Sequence, residues 1–539
     1  MTLHRKIFLR YLILLFLILL KAESINSQVI EEWLQRYNGN SNLSDGAKSI
    51  MLDNMGNFLV IGSSDNSGTS SEYVVLKYNQ TGMLLWVAKY SGFPNRDNQI
   101  NAIAIDDSNN VIVTGSSEGI NTGYDFATVK YNSSGIQKWV TRYSRAGNHR
   151  DAAYAISLDR LGNVYVTGQS FETQTNEDIA TIKYNSSGVQ QWVARYDGNT
   201  HTFDKPESIT VDNLNNIYIT GESDGDFCTI KYNSSGVQQW VENYDGIVSG
   251  NDFGHVVRVD NIGNVYVSGT STGSMQYFDY ATVKYDSSGK ELWVRRYEGS
   301  AHFMDNVQAM TIDGIGNVYL TGNGTETGQG YNFTTIKYDT YGNQRWIAQY
   351  DHGLNDIAFS LDIDNSGNVY VTGESDGNGT GDDYATVKYD SNGIQKWSRR
   401  FSTTGDSSDV AISLVVDISG SVFVTGSSNR DILTIKYSQL TGVNPISLEN
   451  PSIFKLEQNY PNPFNPVTNI NFSLPNNKFV ILMIYDILGN EVNRIINERK
   501  NAGTYSVQFN GNYLPSGIYF YSLFLDGKAA DTKRMVLLK

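Results

Sequence analysis

From about residue 30 to residue 440 the apolar residues come in short runs, four to a unit. In one unit the runs are 155–158, 164–167, 180–184 and 191–195. β-Branched and aromatic residues fill them and turn residues separate them, a pattern that predicts strands and not helices. We label the four positions A, B, C and D. The A–B connection reads Asp-x-x-Gly-Asn, as at Asp159-Arg160-Leu161-Gly162-Asn163, and the C–D connection reads Asn/Asp-x-x-Gly, as at Asn185-Ser186-Ser187-Gly188. Asp or Asn first and Gly late is the chemistry of a short hairpin with a left-handed residue.

The pattern recurs eight times. All eight Trp of the chain occupy position D (Trp33, Trp86, Trp139, Trp192, Trp240, Trp293, Trp346 and Trp397), at spacings of 53, 53, 53, 48, 53, 53 and 51. A Lys-Tyr pair ends C in each unit, and a Gly ends the apolar part of B. Four antiparallel strands repeated at about 50 residues predict β-propeller blades. The first Trp run precedes any A run, and the last unit stops after C. The N-terminal strand therefore supplies D to the last blade, which closes the ring and covers two sheet edges. Eight complete blades result.

Composition agrees with β-structure: 12% aromatic residues, 50 Gly and 18% charged residues in 539. The single cysteine, Cys228, excludes an intramolecular disulfide. Residues 1–27 carry +3 and residues 448–539 carry +2, so a whole-chain charge of −15 leaves −20 on the stretch between. A body this acidic repels phosphate backbones and anionic membranes, which excludes nucleic acid and leaves neutral polymers, cations and basic partners.

Both ends carry delivery signals. Arg5, Lys6 and Arg10 precede an apolar run over 11–20, and Ala22, Ser24 and Ser27 follow. The run is short for a membrane span and reads as a signal peptide, residues 1–27, cleaved before Gln28, with no transmembrane helix left afterwards. Seven of the nine Pro fall after Val443 and mark a linker, 441–452, between a propeller at 28–440 and a domain at 453–539. Six strand-like runs (468–474, 479–485, 491–496, 503–509, 517–525 and 531–538) predict a small Ig-like β-sandwich there. The fold class is all-β: an eight-bladed propeller followed by that sandwich.

The text Asp-x-x-Gly-Asn-Val-Tyr-Val-Thr-Gly at 159–168 resembles the bacterial SBBP β-propeller repeat, over roughly 30–440. That resemblance implies the fold and little about activity. The C-terminal domain resembles the type IX (Por) secretion C-terminal sorting domain. The matching residues are Asn459-Tyr460-Pro461-Asn462-Pro463-Phe464-Asn465-Pro466, Ile484-Tyr485-Asp486-Ile487-Leu488-Gly489, Leu514-Pro515-Ser516-Gly517-Ile518-Tyr519 and the terminal 534–539. It implies a partner, the type IX machinery, and delivery to the bacterial surface or medium. In that family the domain is usually removed, and the cargo is anchored to lipopolysaccharide or released.

Candidate chemistry is thin. A–B and C–D turns share one face of a blade, and B–C and D–A loops share the other. The turn face is uniform and the loop face varies. His149, His201, His302 and His352 all fall in D–A loops, so the loop face is the expected interaction surface. A carboxylate opens A in every unit (Asp45, Asp97, Asp151, Asp204, Asp252, Asp305, Asp356 and Asp409). Another precedes C in all but one, where Asn332 stands. A cation-binding ring is one reading; carboxylates that accept backbone N–H groups and fix the loops are the favoured one. The strand-C Lys and the Asp ending A, such as Lys130 and Asp106, are expected to form structural ion pairs or turn contacts and not a catalytic site. Four Gly-x-Ser-x-Gly matches follow strand B and not a strand–turn–helix elbow, so they are repeat text. Asp376, Asn378, Asp382 and Asp383 resemble the start of a calcium loop, although the twelfth position is Val387 instead of Glu. No catalytic constellation and no other cofactor motif is present. The expected function is a non-catalytic binding or scaffold protein for an extracellular glycan or protein. The alternative is a secreted hydrolase or lyase with its site on the loop face.

Overall fold

The computed structural model describes residues 29–39, 42–66, 70–145, 149–172, 176–328, 330–377, 381–403, 408–439, 445–447, 451–511 and 514–539. The signal peptide at 1–27 lies outside them. The chain divides into two compact units, Glu31–Ser438 and a second that holds Gln439–Lys539.

Eight four-stranded antiparallel sheets form the first unit. Seven are built in chain order, A-B-C-D. In blade three, A is Asp151–Leu158, B is Val164–Glu172, C is Asn176–Tyr184 and D is Gln190–Tyr196. Blade eight has the order Val29–Tyr37, Asp431–Gln439, Val422–Ser428, Asp409–Val416. The first strand is thus its D strand, and the ring closes as the repeat phase predicts. Arg36 of that strand donates to the Ser428 carbonyl at 3.0 Å, as Arg142 does to the Ser117 carbonyl at 2.7 Å in blade two.

Burial follows position. B and C strands are almost wholly buried, while D strands begin exposed and stay half-buried. Neighbouring blades share cores. One such cluster joins Leu59, Ile61, Tyr73 and Val75 of blade one to Ile103, Val111, Val113 and Val129 of blade two. Stability is therefore spread around the ring in nearest-neighbour interfaces. The B–C ladders run further toward the loops than the apolar text does. In blade three the pairing continues past Gly168↔Ala180 to Glu172↔Asn176.

In the second unit, Val467–Leu474 and Gly503–Asn510 pair, flanked by Pro445–Ser447 and Lys455–Leu456. Lys478–Tyr485 pairs with Glu491–Lys500 and with Gly517–Leu525, which pairs in turn with Lys528–Leu537. Ile470, Phe472, Leu482, Ile484, Tyr521 and Leu523 meet in one core between the two sheets. Residues 445–447, expected in a linker, instead add a strand to this unit.

Candidate functional site

On the turn face the repeated side chains hold neighbouring blades together. In seven of the eight Trp the indole N–H donates to a carbonyl in the next blade's C–D turn. The pairs run Trp33 to Gln80, Trp86 to Ser133, Trp139 to Ser186, Trp192 to Ser234, Trp240 to Ser287, Trp293 to Thr340 and Trp346 to Ser391, at 3.0–3.3 Å. The strand-C Lys reaches the same carbonyl, as from Lys231 to Ser287 at 2.7 Å. The indole also covers the turn's Gly. Gly188 has φ +81°, and a Cβ there would lie 2.7 Å from Trp139, so both its conformation and its space require glycine.

Trp397 has no such acceptor among the described residues, although it is 6% exposed. The equivalent carbonyl would come from Gln439, two residues past Tyr437. In blade eight that residue continues the strand instead of turning. Ring closure by a separate strand removes the C–D turn and orphans this indole.

The strand-C Lys has two settings in blades one to seven, and in blade eight Lys436 lies over Phe423 and pairs with Glu32 at 2.7 Å. Where strand B places an aliphatic residue opposite it, the Lys pairs with the A–B turn carboxylate: Lys77–Asp53 at 2.8 Å beside Leu59, and Lys130–Asp106 at 2.9 Å beside Ile112. Burial raises the Asp53 pKa, but hydrogen bonds from Lys77 and Asn57 and the Lys77 charge outweigh it, so the net shift is downward. Where strand B has Tyr165, Tyr218, Tyr266, Tyr319 or Tyr370, the phenol donates to the Asp at 2.9–3.2 Å. The Lys then lies over the ring, 4.7–5.2 Å from its centroid. A cavity of about 570 Å³ between blades two and three is lined by Asp106, Lys130, Trp139 and Arg160 and belongs to this machinery.

The loop face is built differently. The Asp opening strand A accepts a backbone N–H from the D–A loop. Examples are Gly198 to Asp204 at 2.9 Å, Gly246 to Asp252 at 2.7 Å and Thr403 to Asp409 at 2.7 Å. In blade two the register puts Asn98, not the expected Asp97, in this place. Its side-chain amide donates to the Ser71, Ser91 and Arg96 carbonyls at 2.8–2.9 Å, closing the loop without a charge.

The second carboxylate, before strand C, pairs with a cation on strand D. Glu72 holds Lys89, Asp125 holds Arg142 at 2.7 Å, Asp279 holds Arg296 at 3.0 Å and Asp383 holds Arg400 at 2.8 Å. Blade six is neutral at both places, with Asn332 and Gln349. Blade four keeps the acid, Asp226, but has Asn243 where the cation stands elsewhere. There Asp226, Asp245 and Asp252 bring carboxylate oxygens within 4.8 Å of one another, as do Asp178, Asp197 and Asp204 one blade earlier. Burial and the charges of Asp245, Asp252 and Asp224 raise the Asp226 carboxyl to about 6.

The histidines do not converge. His201 Nδ1 meets Asp197 at 2.6 Å and His302 Nδ1 meets Glu298 at 2.7 Å, in separate exposed loops. His149 stacks on Phe171 at 4.0 Å and His352 on Tyr350 at 6.4 Å. The Gly-x-Ser-x-Gly stretches run within strand B or into its turn; Ser117, for example, pairs with Asp125. Of the calcium-loop candidates, Asp376 and Asp382 are cross-strand partners, Asp383 is engaged by Arg400, and Asn378 lies outside the described residues. Cys228 is buried, and burial pushes its thiol pKa up. Glu374, on strand B of blade seven, was not singled out by its sequence setting; burial and the Asp382 charge raise it to about 7.

On the turn face the A–B turns expose Met55, Leu161, Leu214, Ile262 and Ile315, and the C–D turns expose Met83, Ile136, Val189, Val237, Tyr341 and Ile394. On the loop face Phe203, Ile247, Met275, Tyr277, Phe303 and Met304 are exposed in loops of consecutive blades. The Tyr277 and Phe303 rings touch with centroids 5.3 Å apart.

In the second unit the Pro-rich motif is tied down by its own side chains. Asn459 donates to Thr468 at 2.9 Å and to the Pro461 carbonyl at 3.1 Å, and the Tyr521 hydroxyl donates to the Glu457 carbonyl at 2.7 Å. Asn462 Oδ1 accepts from the Val536 N–H at 2.9 Å, joining the motif to the last strand. Tyr460, Ile487 and Leu488 are exposed.

These features define a β-propeller with a separate small β-sandwich domain. The beta-propeller repeat SBBP matches residues 191–227, 345–379 and 396–433, and the secretion system C-terminal sorting domain (Por) matches residues 458–537. The chain is an SBBP-repeat propeller carrying a type IX sorting domain, and it is secreted to the cell surface or beyond. No curated protein matches it. Among solved structures it is similar to PorZ, a surface component of the type IX secretion system of Porphyromonas gingivalis (12% identity, 91% of this chain and 74% of that one, TM-score 0.31). It is also similar to the Pan2 WD40 domain of Neurospora crassa (8%, 76% and 96%, TM-score 0.40) and to a fungal copper-bound alcohol oxidase (12%, 81% and 96%, TM-score 0.37). Among the described residues no helix is long and apolar enough to cross a membrane.

Proposed function

We propose that the protein is a non-catalytic binding or scaffold protein of the bacterial exterior, gripping an extracellular glycan or protein with its B–C and D–A loops. The observation that carries this reading is the contrast between the faces. On the turn face the repeated Trp, Lys, Asp and Gly are, Trp397 apart, engaged in structural contacts within and between blades. On the loop face the repeated Asp holds the backbone, and what varies around it is exposed. A glycan array and a pull-down from surface extracts with the mature chain test it; absence of binding in both would overturn it.

A second reading, a secreted hydrolase or lyase, has one observation in its favour. Glu374, at about 7 on the loop side of blade seven, is tuned for proton donation near neutrality. Glu374→Gln should then abolish polymer cleavage while leaving binding intact.

A further inference from the structure

The B–C hairpins come in two lengths, and their order around the ring is regular. The strand-B Gly pairs with a strand-C residue twelve positions on in six blades: Gly62↔Val74, Gly115↔Ala127, Gly168↔Ala180, Gly269↔Ala281, Gly322↔Thr334 and Gly373↔Ala385. In blades four and eight the separation is seven: Gly221↔Cys228 and Gly426↔Leu433. Four blades of eight is half a turn, so the two short hairpins stand opposite each other. Three long hairpins lie on either side. At about 3.3 Å per strand residue, five fewer residues lower each short hairpin by up to about 8 Å. The D–A loops do not compensate: 197–203 and 245–251, flanking blade four, have equal length.

The two low points are built alike. Each is a two-residue turn with both residues at positive φ, Asp224-Gly225 (56° and 89°) and Asn429-Arg430 (51° and 67°). In each, the carbonyl of the second turn residue accepts the N–H of the next blade's leading Asp at 2.7 Å: Gly225 from Asp252, and Arg430 from Asp45. Arg430 holds a left-handed conformation that strains a side chain with a Cβ, and the short turn persists despite it.

We propose that a straight trough crosses the loop face from blade four to blade eight, and that it holds one extended, unbranched, neutral polysaccharide chain. This rests on the loop face being the binding face. Three observations select the occupant. The −20 charge of the propeller stretch disfavours polyanions. The turn carbonyls at both ends are already used, so an incoming peptide finds neither of these acceptors free. Finally, the hairpin of blade five and the loop after it carry the exposed Tyr277–Phe303 pair, and the blade-four turn carries Asp224, whose carboxylate is held by the Asn199 and Thr200 N–H groups and the Thr200 hydroxyl and keeps lone pairs for a sugar hydroxyl. These are apolar ring faces for sugar C–H groups, and a carboxylate acceptor for hydroxyls.

The test uses the mature full chain with cello-, laminari- and manno-oligosaccharides of graded length. Affinity for one series should rise with length. In one variant, residues 272–278 of blade five replace Asp224-Gly225; in another they replace Asn429-Arg430. Each should lower affinity for the longest member by at least ~10-fold and flatten the length dependence. The same insertion in the C–D turn at Ser187 should leave binding unchanged. The double variant Tyr277→Ala/Phe303→Ala, at exposed positions, should also lose ~10-fold and covers the case of a graft that misfolds. Glycan binding indifferent to both grafts and to the double variant would overturn the trough and leave the proposed function standing. Binding of polylysine or surface proteins without any oligosaccharide would overturn the polysaccharide assignment. Binding to nothing would remove the functional reading as well.

Discussion

Trp293 and Trp397 occupy one repeat position at matched burial, 9% and 6% exposed, yet only the first has a hydrogen-bond acceptor among the described residues. Substituting each with Phe removes the same indole and nearly the same packing area. In Trp293→Phe a bond to the Thr340 carbonyl is lost, a net contribution of about 1 kcal/mol, while that carbonyl keeps Lys284 at 3.0 Å. In Trp397→Phe a buried N–H without a partner disappears, and with it a desolvation penalty of about 1–3 kcal/mol. The shared packing loss cancels in the comparison, so Trp397→Phe should be the more stable variant by roughly 2 kcal/mol or more. Urea unfolding of the mature chain, read by far-UV circular dichroism with both variants beside the wild type, measures the gap. Equal midpoints, or a lower one for Trp397→Phe, would refute the claim that strand-exchange closure leaves this indole unsatisfied.

Tyr165→Leu should let Lys183 reach Asp159, as Lys77 reaches Asp53; a double-mutant cycle with Lys183→Met should then show a coupling of ~0.5–1 kcal/mol that is absent in the wild-type background. Asp226 has a folded-state pKa of about 6, above its ordinary value, so the folded chain binds the proton more tightly and this residue's contribution to stability falls as pH rises from about 4 to 6. Asp226→Asn should therefore stabilise at pH 7–8, on the order of 1 kcal/mol after allowance for solvent screening, and be neutral near pH 4; thermal melts at both values decide it. Restoring the ion pair in blade six with Asn332→Asp/Gln349→Arg should be better tolerated than Asn332→Asp alone, which leaves a buried carboxylate unpaired; melting temperatures in the reverse order would count against the pairing rule. Truncation after Ser447 should retain the chain in the periplasm, which cell fractionation reads directly.

The blade count, ring closure and delivery domain were legible because each rests on local text repeated or matched in place. A Trp, a Lys-Tyr and a late Gly recur because each blade must meet the next in the same way. Less legible was where strands B and C end. Their outer rungs, such as Ser170↔Asp178, are polar, and the backbone ladder holds them without an apolar pattern to betray it. The leading carboxylate of blade two was misplaced by one residue for a related reason. Asn98 does with an amide what Asp does elsewhere, and a search by charge finds Asp97 instead. Glu374 had no signal at all: its raised pKa comes from burial and a neighbour across the hairpin, neither of which is local in sequence.

Repetition and its exceptions carry different information in this molecule. A residue kept in nearly every blade is explained by the blade, as the Trp–carbonyl clamp and the loop-closing Asp show. Function has to be sought where one blade departs from its neighbours without a structural compensation. Blade six departs at Asn332 and Gln349 together, two neutral residues replacing an ion pair, and the departure ends there. Blade four departs at Asn243 alone and leaves Asp226 among carboxylates, and it is also one of the two blades with a shortened hairpin. The other, blade eight, shortens the same hairpin by the same five residues and accepts Arg430 at positive φ to do so. Random drift in loop length has no reason to select two blades half a turn apart, or to shorten them by the same number of residues. A ligand long enough to reach across the ring does, because it must clear the rim at two opposite points.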